Sequence, residues 1–187
     1  MTGDVFLAGD GMYLRGLRAS DVDGAWYAWL NDAEVTYFQD KGYFPSSREQ
    51  QAEYYRRTAA SGTDLVLAIV DAATGRHVGN VGLHDINSIH RTAVLGIVIG
   101  EKAFWGRGFG RQAWALVTRH GFQALNLNKI SAAVMAGNDR SLKAALAAGY
   151  EVEGTQREQL YKHGAYRDLT LVGITRAAWD GREGVSR

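Results

Sequence analysis

Five glycines, Gly96, Gly100, Gly106, Gly108 and Gly110, fall in a short stretch that leads from an apolar run into a helical pattern. The run, Ala93-Val94-Leu95-Gly96-Ile97-Val98-Ile99, is apolar on both faces, as a central strand is. The helical pattern is Arg111 to Leu125, with Ala113, Leu116, Val117, His120 and Ala124 at helical spacing. Glycines at such a junction let successive backbone N–H groups converge on one point. The helix start adds partial positive charge, so the junction suits phosphate or pyrophosphate. Arg107 and Arg111 bring full charges and planar donors. A tight turn would use the same glycines, so the neighbouring residues decide between the two.

Composition narrows the field. The chain has 23 glycines in 187 residues but one proline, which argues against a disordered Gly/Pro-rich chain. The length suits one domain over residues 1–187, with a loose leader at 1–11 and a loose tail at 180–187. Twenty-one Lys and Arg against 20 Asp and Glu leave a net charge of +1, offering no field for nucleic acid. Without cysteine there is no disulfide, thiolate zinc site or cysteine nucleophile. His77, His90, His120 and His163 show no metal-ligand spacing, so no metal is expected. No apolar run approaches the roughly 20 residues of a membrane span. The start, Met-Thr-Gly-Asp-Val, lacks the order of a signal peptide. A cytoplasmic protein with no membrane partner is expected.

Along the chain, Met12 to Leu17 reads as a first strand. Ser20 is placed to cap a helix whose apolar face is Ala25, Trp26, Trp29 and Leu30, ending at Asn31-Asp32. Ala33 to Phe38 suggests another short helix. After Pro45, Ser46 or Ser47 could cap a surface helix running to Ala60. Leu65 to Val70, His77 to Leu83 and Ala93 to Ile99 form a three-stranded meander. Lys129 to Met135 reads as strand and Asn138 to Ala148 as a helix stopped by Gly149. Tyr150 to Glu153 and Leu169 to Ile174 close as strands across a polar hairpin. The order αα, βββ, α, β, α, ββ is a mixed α/β (α+β) domain.

Two phosphate-binding patterns fail. A P-loop needs Lys then Ser or Thr after its last glycine, whereas Gly110 is followed by Arg111-Gln112. The dinucleotide pattern matches formally at Gly108-x-Gly110-x-x-Ala113. It calls for an acidic residue about 20 positions on, and none occurs between Glu101 and Asp139. The elements before it are also a meander, which disfavours a nicotinamide-dependent dehydrogenase.

Trp105-Gly106-Arg107-Gly108-Phe109-Gly110 resembles the pyrophosphate loop of the GNAT family of N-acetyltransferases, in the RimJ/RimL-like branch. The resemblance continues through Leu125 to Ile130, Asn138-Asp139-Arg140-Ser141, Ala148 to Gly154, and Gly164 to Asp168, covering roughly residues 12 to 179. It implies a mixed, mostly antiparallel sheet, splayed between its fourth and fifth strands, with helices on both faces and acetyl-CoA in the splay. The pantetheine arm would lie along Ile97, Val98 and Ile99, with the pyrophosphate on Trp105, Gly106, Arg107, Gly108, Phe109, Gly110 and Arg111. Asn138 and Lys143 would also reach the cofactor. A splay leaves backbone groups unpaired, which is costly in an interior, and an amide-bearing arm satisfies them by strand-like bonding.

Acetyl transfer from a thioester to an amine requires the amine to lose a proton and the departing thiolate to gain one. Many relatives carry a tyrosine seven residues after the helix asparagine; here that position is Ala145. Ser141 resembles the serine of the RimL-like branch and is the candidate acid, although a first-turn residue bonding locally would look the same. Val94 stands where relatives often carry glutamate. His84 and Asp85 at the end of a strand are the candidate bases, His84 with the better intrinsic pKa; loss of the proton to water is the alternative. Absence of cysteine fits direct attack in a ternary complex.

Trp29, Asn31, Tyr166 and Asp168 are the candidate acceptor contacts, in aromatic, roughly neutral segments. These favour a small primary amine, such as an amino sugar or related metabolite. A protein N-terminus as acceptor, or a non-catalytic acyl-CoA-binding module, are the alternatives. Monomer and homodimer are both compatible with the sequence.

Overall fold

The computed structural model describes residues 4–183. Its scaffold is an eight-stranded sheet in the order β1-β2-β3-β4-β5-β6-β8-β7. The central antiparallel strands are β2 (Met12–Gly16), β3 (Leu65–Asp71), β4 (His77–Asn87) and β5 (Thr92–Ile99). Gly75, at φ +70°, supports the turn between β3 and β4. β4 outruns the sequence reading by four residues, to Asn87.

After β5 the chain makes the glycine loop and enters α4 (Phe109–Gln123). It continues through β6 (Lys129–Met135), α5 (Asp139–Ala147), β7 (Glu151–Lys162) and β8 (Ala165–Thr175). The main core lies between α4, α5 and the sheet. Trp114, Val117 and Phe122 meet Leu67, Ile69, Leu83 and Ile130, all essentially inaccessible. Fully burying a side chain of this size contributes about 1.5–3 kcal/mol, which fixes α4 against the strands it follows.

The opposite side carries α1 (Ala19–Asp23), α2 (Trp26–Asn31) and α3 (Arg48–Ala59), with Val22, Trp26, Trp29 and Val35 forming a second core. The single helix expected after Ser20 is two, separated at Gly24, and its N-cap is Arg18. The Asp21 carboxylate accepts from the Arg18 N–H at 2.8 Å, and Ser20 lies inside the helix. Residues 33–38 form successive turns and no helix. Ser47 caps α3, accepting from the Gln50 N–H at 3.2 Å while its own N–H donates to Gln50 Oε1 at 2.9 Å.

The termini and the last hairpin differ from expectation. Within the leader, β1 (Leu7–Ala8) pairs with β2. The tail begins as α6 (Arg176–Glu183), and the expected loose residues 184–187 lie outside the described residues. The polar hairpin is strand almost throughout. His163 (φ +53°) and Gly164 (φ +75°) make a two-residue turn of the kind that matches strand twist. Both faces of β7 are largely exposed up to Tyr161, so no apolar alternation marks it. Among the described residues no helix is long and apolar enough to cross a membrane.

Candidate active site

Among the described residues, β5 and β6 are the only parallel neighbours in the sheet. They pair only at Thr92↔Lys129, Ala93↔Ile130 and Val94↔Ser131. Beyond that, β5 stays paired with β4 and β6 with β8 through Met135. Leu95 to Ile99 and Ala132 to Met135 therefore face each other across a splay with no strand between them. With the two-residue β1 left out of the count, this is the expected opening between the fourth and fifth strands.

On the β5 edge of the splay, two backbone carbonyls are held by side chains. The Ile99 carbonyl accepts from Trp105 Nε1 at 2.7 Å, and the Ile97 carbonyl accepts from Gln39 Nε2 at 3.3 Å. Ile97, Val98 and Ile99 are all half-buried. Trp105 thus ties the glycine loop to the strand, and Gln39 reaches the same edge from a segment outside the sheet.

That segment, residues 36–43, crosses to the β7–β8 hairpin. The Tyr37 ring stacks on His163 with centroids 3.9 Å apart. Lys162 Nζ donates to the Gln39 carbonyl at 3.0 Å and to that of Lys41. Tyr43 Oη donates to the Tyr161 carbonyl at 3.0 Å. Lys162 is buried, and burial holds its pKa below the usual lysine value. Sequence reading did not single out Gln39 or Lys162, because their roles depend on a contact between distant segments.

At the loop itself, Gly106 (φ +76°) and Gly108 (φ +85°) adopt left-handed backbone, and Gly108 is the N-cap of α4. The cap has no side chain to bond the first N–H groups of the helix, so they stay available to an anion. Arg107 is held above the loop, its guanidinium 4.7 Å from the Phe104 ring centroid and 5.7 Å from that of Phe109. Phe109 itself is core, so only its backbone faces the loop. Gly110 is half-buried, and Arg111 and Lys143 are exposed. An open strand edge leading to a left-handed glycine nest fits a long ligand with amides at one end and a pyrophosphate at the other.

On the β6 side, Asn138 caps α5, its Oδ1 accepting from the Ser141 N–H at 3.3 Å. Ser141 is half-buried in the first turn. Ala145 is fully buried in the main core, so the helix position expected to lack a tyrosine is a packing position.

His84 stands on β4 opposite Val94, the last β5 residue paired with β6. Its Nδ1 lies 3.0 Å from Asp64 Oδ1, and Asp64 Oδ2 accepts from Ser61 Oγ at 2.8 Å. Burial raises the Asp64 pKa, but the bonds from Ser61 and His84 outweigh it and hold the carboxyl below its usual value. The imidazole lies over Gly82 and Gly96, which are paired in register. A β-carbon on Gly82 would approach Nε2 to 3.1 Å, and one on Gly96 to 3.4 Å.

Several expected contacts move. The carboxylate partner of His84 is Asp64, while Asp85 is exposed at φ +51° in a strand irregularity. Asp64 sits beside His84 because Leu65 pairs with Leu83, a register that no local sequence signal marks. Trp29 is 4% exposed, donating from Nε1 to Glu101 Oε1 at 3.1 Å, and is not offered to an acceptor. Asn31 staples α2 to the next loop, accepting from the Ser46 N–H at 2.8 Å and donating to its carbonyl at 2.9 Å. Asp168 accepts from the Glu158 N–H at 2.8 Å and so holds a bulge in β7. Tyr166 is 64% exposed at the hairpin, edge-on to Tyr161.

The sequence matches the acetyltransferase (GNAT) domain over residues 12–151. It is 30% identical to a spermidine N(1)-acetyltransferase of Vibrio cholerae over 169 residues, 90% of this chain and 95% of that protein. It is 27% identical to the N-acetyltransferase YoaA of Bacillus subtilis over 170 residues, 89% of this chain and 94% of that one. The fold superposes on the crystal structure of the Vibrio cholerae spermidine N-acetyltransferase in complex with CoA and spermine. The TM-score is 0.83 at 24% identity, covering 91% of this chain and 99% of that one. The chain belongs to the GNAT family of acetyltransferases: it is an acyltransferase enzyme, with acetyl-CoA as its co-substrate.

Proposed function

We propose that this enzyme acetylates a small primary amine of low charge, an amino sugar or a related metabolite, by direct attack in a ternary complex. The observation that carries the acceptor class is the state of acids near the glycine loop and beside His84. Asp32 and Glu34 both pair with Lys102 Nζ, at 2.8 and 2.7 Å, and Asp64 is engaged by His84 and Ser61. The buried Lys162 adds a cation to the segment that borders the splay. These three carboxylates are already compensated, which leaves less free acidic charge there for a polycation.

Bound acetyl-CoA supplies an acetyl thioester. The β5 edge from Leu95 to Ile99 orients it, and the nest at Gly106 to Arg111 with Arg107 takes the pyrophosphate charge. His84 Nε2 accepts the proton of the incoming ammonium, which frees the nitrogen lone pair. Ser141 Oγ–H delivers a proton to the leaving sulfur, and the second proton of the attacking nitrogen restores the hydroxyl. The net release is one proton per acetylated ammonium. Asn138, Arg111 and Lys143 border the donor, and Tyr166 borders the acceptor side.

A second reading is a polyamine acceptor, favoured by the name of the Vibrio cholerae relative. Thiol release from acetyl-CoA across glucosamine, simple monoamines, spermidine and a peptide N-terminus separates the two. We expect a higher kcat/KM for glucosamine or a monoamine than for spermidine. The reverse order replaces the proposed acceptor class, and no amine-dependent release refutes both readings.

A further inference from the structure

We propose that Asp64 is the positioning residue that fixes the tautomer and aim of His84; this rests on the reading of His84 as the proton acceptor. Both oxygens of the carboxylate are committed, Oδ1 to His84 Nδ1 at 3.0 Å and Oδ2 to Ser61 Oγ at 2.8 Å. Ser61 Oγ in turn accepts the Thr63 N–H at 3.1 Å. The Thr63 carbonyl accepts from the Ile86 N–H at 2.8 Å, which bolts this turn to the end of β4. The carboxylate therefore approaches the imidazole from a braced turn and not from a swinging side chain.

An ionised carboxylate is acceptor-only. The bond to Asp64 thus requires hydrogen on Nδ1, which leaves the Nε2 lone pair bare in the neutral ring. Nε2 has no hydrogen-bond partner among the described residues. The ring runs from the β3 side, where Asp64 sits, across Gly82 to Gly96 on β5. The far edge of β5 is the open splay. Gly82 and Gly96, lacking β-carbons, provide the flat floor on which the ring lies in this direction.

The side chains of His84 and Asp64 are 32% and 29% exposed, so an acceptor can reach the pair. Other charged or titratable groups near it are Arg57 and Tyr54 of α3, both of which act electrostatically with Asp64, and Asp85, the next residue on β4. When the acceptor ammonium loses its proton, an N–H bond breaks there and one forms at Nε2. The resulting imidazolium faces the Asp64 carboxylate, which stabilises the charge until the proton passes to water.

The experiment compares wild type, Asp64→Asn and His84→Ala, using the amine that gives the highest thiol release, with kcat and KM separated and the tautomer of the His84 ring read by NMR. We expect His84→Ala to lower kcat/KM for the amine by about 10²- to 10⁴-fold. Asp64→Asn should lower it at least tenfold while acetyl-CoA affinity is unchanged. It should also remove the fixed Nδ1–H tautomer of the ring. A wild-type His84 tautomer in Asp64→Asn overturns the positioning role even if His84→Ala is inactive. Full activity of His84→Ala, by contrast, overturns the base assignment on which the role rests.

Discussion

The indole of Trp29 lies against the α-carbon of Gly100, so that a β-carbon at position 100 would overlap the ring. Trp29 also bonds Glu101, whose other oxygen pairs with Arg76 at 2.6 Å. α2 is thereby pressed onto the end of β5, where the splay meets the glycine loop. Glycine at this point serves close approach and not turning.

Gly100→Ala should therefore destabilise the fold by about 3 kcal/mol, at the upper end of what overpacking costs. Urea unfolding reads this, and adding Trp29→Leu should recover part of the loss because the two sites are in contact. An unchanged midpoint for Gly100→Ala would contradict the packing.

Gly108 presents a different constraint. Nothing lies within 4 Å of a β-carbon there, but φ is +85°. Gly108→Val should cost about 1–2 kcal/mol of backbone strain and weaken acetyl-CoA binding at least tenfold, read by calorimetry. Normal binding would remove the loop from the donor site.

Ser141→Ala should lower kcat by about 10²-fold or more, with acetyl-CoA affinity and unfolding midpoint nearly unchanged. The Asn138 cap bonds the Ser141 backbone and survives the substitution. Turnover equal to wild type would exclude Ser141 as the proton donor.

Stability should fall on acidification in two windows. Burial holds the His77 pKa below its usual 6.5 despite the nearby Asp21. The unfolded chain then takes up a proton first, and stability drops as pH falls below about 6.5. Asp21 is raised by burial but lowered further by its bonds to Arg15 and the Arg18 N–H, for a net depression below 3.8. Its contribution is present above about pH 4 and is lost as pH falls through its folded pKa. Melting temperatures from pH 7.5 to 5 should decline, and His77→Gln should flatten that slope. An undiminished slope would assign the effect to other groups. Breaking the buried Arg15–Asp21 pair by Asp21→Ala should cost about 3–5 kcal/mol at neutral pH.

The central meander, α4 and α5 were legible because their apolar residues recur at strand or helix spacing in elements with buried faces. The long β7–β8 hairpin was not, since Glu151 to Leu160 is largely exposed on both faces and carries no alternation. The glycine junction ahead of α4 was legible as a local run of glycines, two of them at left-handed φ. The His84–Asp64 pair was not legible, because it depends on strand register. Trp29 and Asn31 looked available by residue type, yet the fold spends both on packing and loop bonding.

The placement of the acyl donor in the splay is tested most directly by hydrogen exchange with and without CoA. New protection is expected only at Leu95 to Ile99 and Gly106 to Arg111, with the β3–β4 ladder unchanged. Protection elsewhere, with these two segments unaffected, would contradict it.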